Sequence, residues 1–390
     1  MSDVSLALGK DYPELRDAVR RLCADFPGPY WRRIEREAAY PTEFIAALTA
    51  AGFLAALIPE AFGGSGLPLR AAAVILEEIN ANGCTATQGH AQMYVMGALL
   101  RAGSPAQKAR YLPPIARGEL RLQAFAVTEP TAGSDTTRIK TFAARDGESY
   151  VVNGQKVWTS RALHSDLMLL LARTTPLAEV RKRTDGLSLF LIDINAGLGR
   201  GLDIQPIETM FNHNTTEIFL ADLRVPAENL IGEEGKGFHA VLGGLNAERI
   251  LVASEAVGDG RWFLDKAVAY ANERVVFDRP IGQNQGIQFP LARAFAEIQS
   301  ADLAARAAAA LFDADQPCGT EANIAKLLAS EAAWHAGDAC LQTFGGFGYA
   351  REFDIERKWR ETRLFQTAPI STNLILAHLG QHALGLPRSY

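Results

Sequence analysis

Between residues 121 and 230 the hydrophobic period of this chain switches from that of a helix to that of a strand, and the switch limits the folds available to it. Apolar residues alternate in 122–127, 149–152, 168–172, 188–193 and 217–220. The pairs Asp146-Gly147, Asn153-Gly154 and Asp185-Gly186 read as turns between such strands. The pattern predicts an antiparallel β-domain that closes with Phe219-Leu220-Ala221-Asp222-Leu223-Arg224-Val225-Pro226.

Both flanks read as helices. In 1–120, Pro13 opens one with Leu15, Val19, Leu22 and Cys23 on a single face. Pro41-Thr42-Glu43-Phe44 opens a second, which stops at Gly52. Residues 69–81 and 88–102 predict two more, with Met93 and Met96 as core residues. Ser104-Pro105-Ala106-Gln107 is an N-cap with proline at the first helical position. Phe62-Gly63-Gly64-Ser65-Gly66 reads as a flexible connector. From 235 onward the Ala-rich stretches 291–311 and 321–345 have helical periodicity, and long helices with short loops predict an antiparallel bundle. The chain therefore reads as an α+β multidomain protein: an N-terminal α-helical domain (1–120), a middle antiparallel β-domain (121–230) and a C-terminal helical domain (235–390).

Composition narrows the function classes. A length of 390 residues suits two or three domains. The net charge of -5, with no basic stripe, argues against nucleic acid as the main partner. No apolar run is long enough to span a bilayer, and the N-terminus reads as neither signal nor transit peptide, so a cytoplasmic protein is expected. Cys23, Cys84, Cys318 and Cys340 are far apart and form no C-x-x-C pair, so they read as reduced thiols. With no H-e-x-x-h pattern either, no metal site is expected.

The chemistry concentrates in the middle. Ala126-Val127-Thr128-Glu129-Pro130-Thr131-Ala132-Gly133-Ser134-Asp135 combines bends with hydroxyls, and Val152-Asn153-Gly154-Gln155-Lys156-Val157-Trp158-Thr159-Ser160 adds a wide indole face. Thr128, Ser134 and Thr159 at one rim, with Trp158 for stacking, suit a flat phosphorylated cofactor. Glu129 and Asp135 read as turn-holding residues, and His213 as a loop residue.

With this order of domains and motifs the chain resembles the acyl-CoA dehydrogenase family over roughly residues 10–388. The resemblance implies that family's fold, with a four-helix-bundle-like C-terminal domain, and FAD as cofactor. It assigns 125–134, including Phe125, Val127, Thr128 and Ser134, to the segment that wraps the flavin, and Trp158, Thr159 and Ser160 to the segment that packs on it. Ser134 also matches a position near the CoA part of the substrate. Arg274 is expected to meet the FAD pyrophosphate of a neighbouring subunit, where a guanidinium suits a phosphate. Phe277 and Gln285 match further cofactor contacts, and Asp278 replaces the glycine usual after Phe277. Gln342, Gly345 and Gly346 match the segment beside the adenine end. Taken alone this cluster is not a dinucleotide motif, and a helix C-cap is the other reading of it. Ser371 and Asn373 match positions near the phosphates or ribityl chain. A homotetramer built as a dimer of dimers, and an electron transfer flavoprotein as electron acceptor, follow from the same resemblance.

The family reaction takes a proton from the acyl α-carbon and a hydride from the β-carbon. Its usual glutamate falls on Pro369 here, and proline is no base. Relatives resembling isovaleryl-CoA and long-chain acyl-CoA dehydrogenases carry the glutamate on a bundle helix, in the segment matched by Gly244-Leu245-Asn246-Ala247-Glu248-Arg249-Ile250. Glu248 is then the expected base, with Asn246 and Arg249 along the substrate channel. Pro369 also lacks the N–H that normally supports the thioester carbonyl, so Ile370 or another amide takes over, or the alignment shifts by one residue. Two other readings stand beside this one: an oxidase, hydroxylating flavoprotein or desulfinase on the same fold, and a non-catalytic acyl-CoA-binding protein that lost its base.

Overall fold

The computed structural model describes residues 11–388. Their helices and strands follow the expected order, helical at both ends with a β-domain between. The residues pack as two compact units. One is drawn from the chain up to Glu37, Pro68–Ala86 and the chain from Asn246 onward; the other comprises Ala38–Leu67 and Thr87–Leu245.

The second unit holds the sheet. Its strands are β1 (Leu122–Ala126), β2 (Phe142–Asp146), β3 (Ser149–Ser160), β4 (Leu167–Arg173), β5 (Leu187–Asp193), β6 (Leu202–Pro206), β7 (Thr215–Pro226) and β8 (Leu230–Ile231). They lie in the order β6-β7-β3-β2-β4-β5-β8, with β1 on β4. Every residue of β4 is buried, so its apolar run is continuous because both faces are covered. Leu167, Leu169 and Leu171 face a core shared with Val95, Met96, Leu99, Leu112 and Ile115. Met168, Leu170 and Ala172 face the opposite core, with Tyr150, Val152, Ile218 and Leu220. A period of two thus assigns alternate residues to two different cores.

Three expectations are corrected here. The sheet is mixed: β1 runs parallel to β4, because the connection between them contains β2 and β3 rather than a tight turn. Asn153-Gly154 is no turn; it lies inside β3, at a bulge between Val152 and Gly154 in the pairing with β7. A Cβ on Gly154 would stand 2.5 Å from the Thr141 Oγ1 and 2.7 Å from its Cα, so only glycine fits this close backbone approach. Gly154→Val is expected to lower stability by about 2–4 kcal/mol through overpacking and strain. Denaturant unfolding measures it, and an unchanged midpoint would show that the bulge accepts a side chain. Third, the glycine-rich connector at 62–66 is pinned rather than loose. Ser65 N–H donates to Ala55 O at 3.2 Å, Gly66 N–H to Ile58 O at 2.8 Å and Leu67 N–H to Ala56 O at 2.7 Å.

The helices of this unit lie close to their expected limits. They include α3 (Thr42–Ala50), α5 (Thr87–Ala102) and α6 (Pro105–Ala116). Ser104 and Gln107 complete a reciprocal capping box at the start of α6. Met93 and Met96 of α5 are core residues.

The first unit is helical. It comprises α1 (Pro13–Ala24), α2 (Gly28–Arg36), α4 (Leu69–Ala81), most of the long α7 (Gly237–Glu273), α8 (Gln285–Asp313), α9 (Gly319–Phe344), α10 (Ile355–Arg363) and α11 (Thr372–His378). α8 and α9 pack closely because their contact faces are alanine: Ala301, Ala305 and Ala308 on one, Ala325, Ala329 and Ala333 on the other, all buried. α7 approaches α4 at Gly258, where a Cβ would stand 2.2 Å from the carbonyl of Glu77. Glu77 itself is buried and paired with Arg16, at 2.8 Å, and with Arg261. Between α7 and α8 a short ribbon pairs β9 (Val275–Val276) with β10 (Arg279–Pro280).

Candidate active site

In the sheet-bearing unit, the turn after β1 is held by a buried ion pair. Glu129 N–H donates to Ala132 O, and Ala132 N–H donates back to Glu129 O, both at 3.1 Å. The Glu129 carboxylate accepts from Lys140 N–H at 2.6 Å and Thr141 N–H at 2.9 Å. Its third partner is the Lys156 ammonium at 2.9 Å, which also donates to Val127 O at 2.9 Å. Burial works to raise the Glu129 carboxyl, but Lys156 and the two N–H donors outweigh it and hold the group below the usual range. Burial pushes the Lys156 ammonium down to about 8, with Glu129 opposing. The pair therefore locks 127–132 onto β3, and Val157 N–H adds a bond to Thr128 O at 2.9 Å.

This lock presents the expected flavin-packing residues. Trp158 is 60% exposed, near the end of the twelve-residue β3. Its φ of 62° is left-handed, and Arg161 (62°) and Asn214 (49°) share that conformation nearby. Arg161 N–H donates to Asn214 O at 2.7 Å, so the unusual backbone is one connected corner. Strain of this kind collects at ligand sites. The Thr159 side chain is buried, and its Oγ1 has no hydrogen-bond partner among the described residues. Ser160 Oγ lies 3.4 Å from Thr215 Oγ1. Phe125 packs near Tyr94, with centroids 6.5 Å apart, while Ser134 is exposed on the turn. His213 Nε2 lies 3.5 Å from Arg161 Nη2. Burial first, then Arg161 and His90, push this imidazole well below its ordinary value, so it is neutral.

The helical unit carries the acid. Glu248 lies on α7 and is 6% exposed, so its carboxylate is held out of bulk water. Arg249 Nη1 donates to Asn246 Oδ1 at 2.9 Å. Burial lowers the Arg249 guanidinium, and the Glu248 carboxylate pulls it back up. Lys326 of α9 is fully buried and is near enough to Glu248 and Arg249 for both to act on its charge. Its Nζ donates to Ile370 O at 2.6 Å. One residue further, Ser371 caps α11 by accepting from Leu374 N–H at 3.3 Å, and Asn373 is exposed on the first turn of that helix.

The remaining expected contacts cluster around the ribbon. Arg274 follows α7 directly, and its guanidinium lies over the Phe347 ring at 5.9 Å. Phe277 and Asp278 form the ribbon's two-residue tip with φ of 53° and 61°. Asp278 thus adopts the left-handed conformation that a glycine would supply, as two-residue primed turns require. Phe277 is 93% exposed. Gln285 opens α8 and Gln342 stands on the last turn of α9, both exposed. Gly345, with φ 59°, ends α9 as its C-cap. A Cβ on Gly346 would meet no described atom within 4 Å, so packing within the chain does not explain that glycine.

In the sheet-bearing unit, an unpartnered buried hydroxyl beside an exposed indole suits the ring of a flavin; in the helical unit, an open glycine and a guanidinium over Phe347 suit a phosphorylated group. Among the described residues, no group of three His, Cys, Asp or Glu could hold a metal ion, and no helix is long and apolar enough to cross a membrane. Sequence reasoning missed Lys156, Arg161 and Lys326. Lys326 had a signal, since it falls on the stripe Ala322, Ala325, Ala329, Ala333 that faces the bundle interior.

Comparison with known proteins agrees. Family profiles for the acyl-CoA dehydrogenase N-terminal, middle and C-terminal domains match residues 10–119, 124–223 and 235–377. The chain is 35% identical over 395 residues to "Acyl-CoA dehydrogenase FadE12" of Mycobacterium tuberculosis (strain ATCC 25618 / H37Rv), covering 100% of both chains. Among solved structures it resembles the glutaryl-coenzyme A dehydrogenase–glutaryl-CoA complex, at 30% identity and TM-score 0.89, covering 98% of this chain and 97% of that one. An acyl-CoA dehydrogenase from Geobacillus kaustophilus gives a TM-score of 0.90 at 28% identity, covering 97% and 99%. With all three domains matched in order, the chain belongs to the acyl-CoA dehydrogenase family of FAD-dependent oxidoreductases.

Proposed function

We propose that this protein dehydrogenates an acyl-CoA thioester to the trans-2-enoyl-CoA, with Glu248 as the base. The observation that carries the reading is the burial of the Glu248 carboxylate, where the family's usual glutamate is replaced by Pro369. A carboxylate shielded from water becomes a stronger base toward a weakly acidic C–H. When bound, the flavin supplies a hydride acceptor at N5. Glu248 takes the α-proton on its carboxylate, and Asn246 and Arg249 line the approach of the thioester.

Phe125, Val127, Thr128, Trp158, Thr159 and Ser160 hold the flavin, and the Thr159 Oγ1 gains a partner that no described residue supplies. Ser134 borders the CoA portion. Gln342, Gly345, Gly346, Ser371 and Asn373 line the rest of the cofactor. Arg274 serves the cofactor of a neighbouring chain in a homotetramer, and Phe277 and Gln285 are further cofactor contacts. Electrons leave to an electron transfer flavoprotein.

Anaerobic titration of the yellow protein with a panel of acyl-CoAs tests the reading. At least one thioester is expected to bleach the flavin and yield the enoyl product. Tight thioester binding with no bleaching at any chain length would identify a non-catalytic binder instead. Rapid reoxidation of the bleached protein by oxygen would point to an oxidase.

A further inference from the structure

Lys326 is the feature of the helical unit that the reaction, as assigned so far, does not use. A fully buried lysine is rare, because an ammonium loses several kcal/mol of hydration unless something replaces it. Within the described residues its Nζ donates to the carbonyl of Ile370 at 2.6 Å. The charged groups that act on it are Glu248 and Arg249 from α7 and Glu331 from its own helix. Arg249 in turn acts on His378 of α11. Lys326 thus joins two parts of the proposed site: the acid on α7 and the 369–371 segment, where proline removed the family's glutamate.

We propose that Lys326 is a positioning residue for the dehydrogenation, holding the Ile370 backbone in place while its positive charge keeps the Glu248 carboxylate ionised and ready to accept a proton. The proposal rests on Glu248 being the base. An opposite charge nearby favours the ionised acid, so removing it makes protonation easier. Burial pushes Lys326 itself down to about 8, Arg249 pushes the same way and Glu248 opposes, so the ammonium persists through neutral pH.

The test compares wild type with Lys326→Arg, Lys326→Gln and Lys326→Met, using the flavin-loaded protein and an acyl-CoA that bleaches it. The pH dependence of the bleaching rate is followed by anaerobic stopped flow. Losing the charge is expected to move the acid limb upward by about one pH unit or more. Lys326→Arg keeps the charge and leaves the limb in place. Lys326→Gln keeps a donor for Ile370 without the charge, so it shows the shift with less loss of rate than Lys326→Met. A second readout needs no turnover. The infrared band of the protonated carboxyl, identified by its absence in Glu248→Gln, is titrated in each variant and should move by the same amount.

If all three variants load flavin and share the wild-type acid limb and band, Lys326 is structural and the proposal is overturned. If Lys326→Met does not fold, Lys326→Gln decides the question. Failure of the base assignment is separate: Glu248→Gln would then bleach at the wild-type rate, whatever the Lys326 variants do.

Discussion

Glu248→Gln is expected to keep its flavin and lose at least about a hundredfold in the rate of acyl-CoA bleaching. General-base contributions run from about 10² to 10⁴. The substitution preserves shape and leaves hydrogen-bonding atoms beside Arg249 and Lys326, so folding should survive. It removes the only atom pair on that stretch of α7 able to take a proton at neutral pH. Residues 244–250 otherwise offer glycine, leucine, asparagine, alanine, arginine and isoleucine. Single-turnover measurement under anaerobic conditions isolates the proton and hydride steps from electron transfer. A variant that bleaches at the wild-type rate would move the base to another acid and leave the fold assignment untouched.

The second large effect concerns stability. Glu129→Gln is expected to cost about 3–5 kcal/mol, the range for breaking a buried ion pair by removing one partner. The loss is double, because Lys156 is left as a buried cation and the N–H groups of Lys140 and Thr141 lose a charged acceptor. Flavin retention should fall with it, since the same pair ties the 127–132 turn to the strand bearing Trp158.

The pH dependence follows from the directions. The folded Glu129 carboxyl is held below its ordinary value of 4.5. Its contribution is therefore complete above that value and is lost as pH falls through the lower folded value. Lys156 has the opposite history: lowered from 10.5 to about 8 on folding, it opposes stability at neutral pH. Between about 8 and 10.5 the unfolded chain binds more protons, so that cost is relieved as pH rises through this window. Urea midpoints of wild type and variant across pH check both signs. A constant gap down to pH 3 would contradict the Glu129 assignment.

Much of the architecture could be read from the residues because local signals and burial agreed. Ser104-Pro105-Ala106-Gln107 forms the capping box it suggests, and residues 69–81 form a helix with those limits. The alternation in 168–172 does divide between two cores. The failures have one physical source: a local signal was outweighed by a distant neighbour. Asn153-Gly154 has the composition of a turn, but Thr141 packs against that backbone and keeps it in a strand. The parallel pairing of β1 with β4 joins residues about 45 positions apart, such as Leu122 and Leu167, and nothing in either segment encodes it. Lys156 looks like a solvated residue until its partner Glu129 is placed beside it. Glu248 could be located only through the resemblance, since a lone glutamate on a helix carries no mark of its burial.

The helix α7 runs without a break from Gly237 to Glu273, and Arg274 follows at its end. Glu248 and Arg274 are 26 positions apart, which at 1.5 Å per residue places them about 39 Å from each other along a stiff rod. No single flavin dinucleotide stretches that far. On the proposed assignments, one chain's acid and the same chain's guanidinium must attend to different cofactor molecules. The smallest complete catalyst then contains two copies, each lending the other an arm it cannot use for itself.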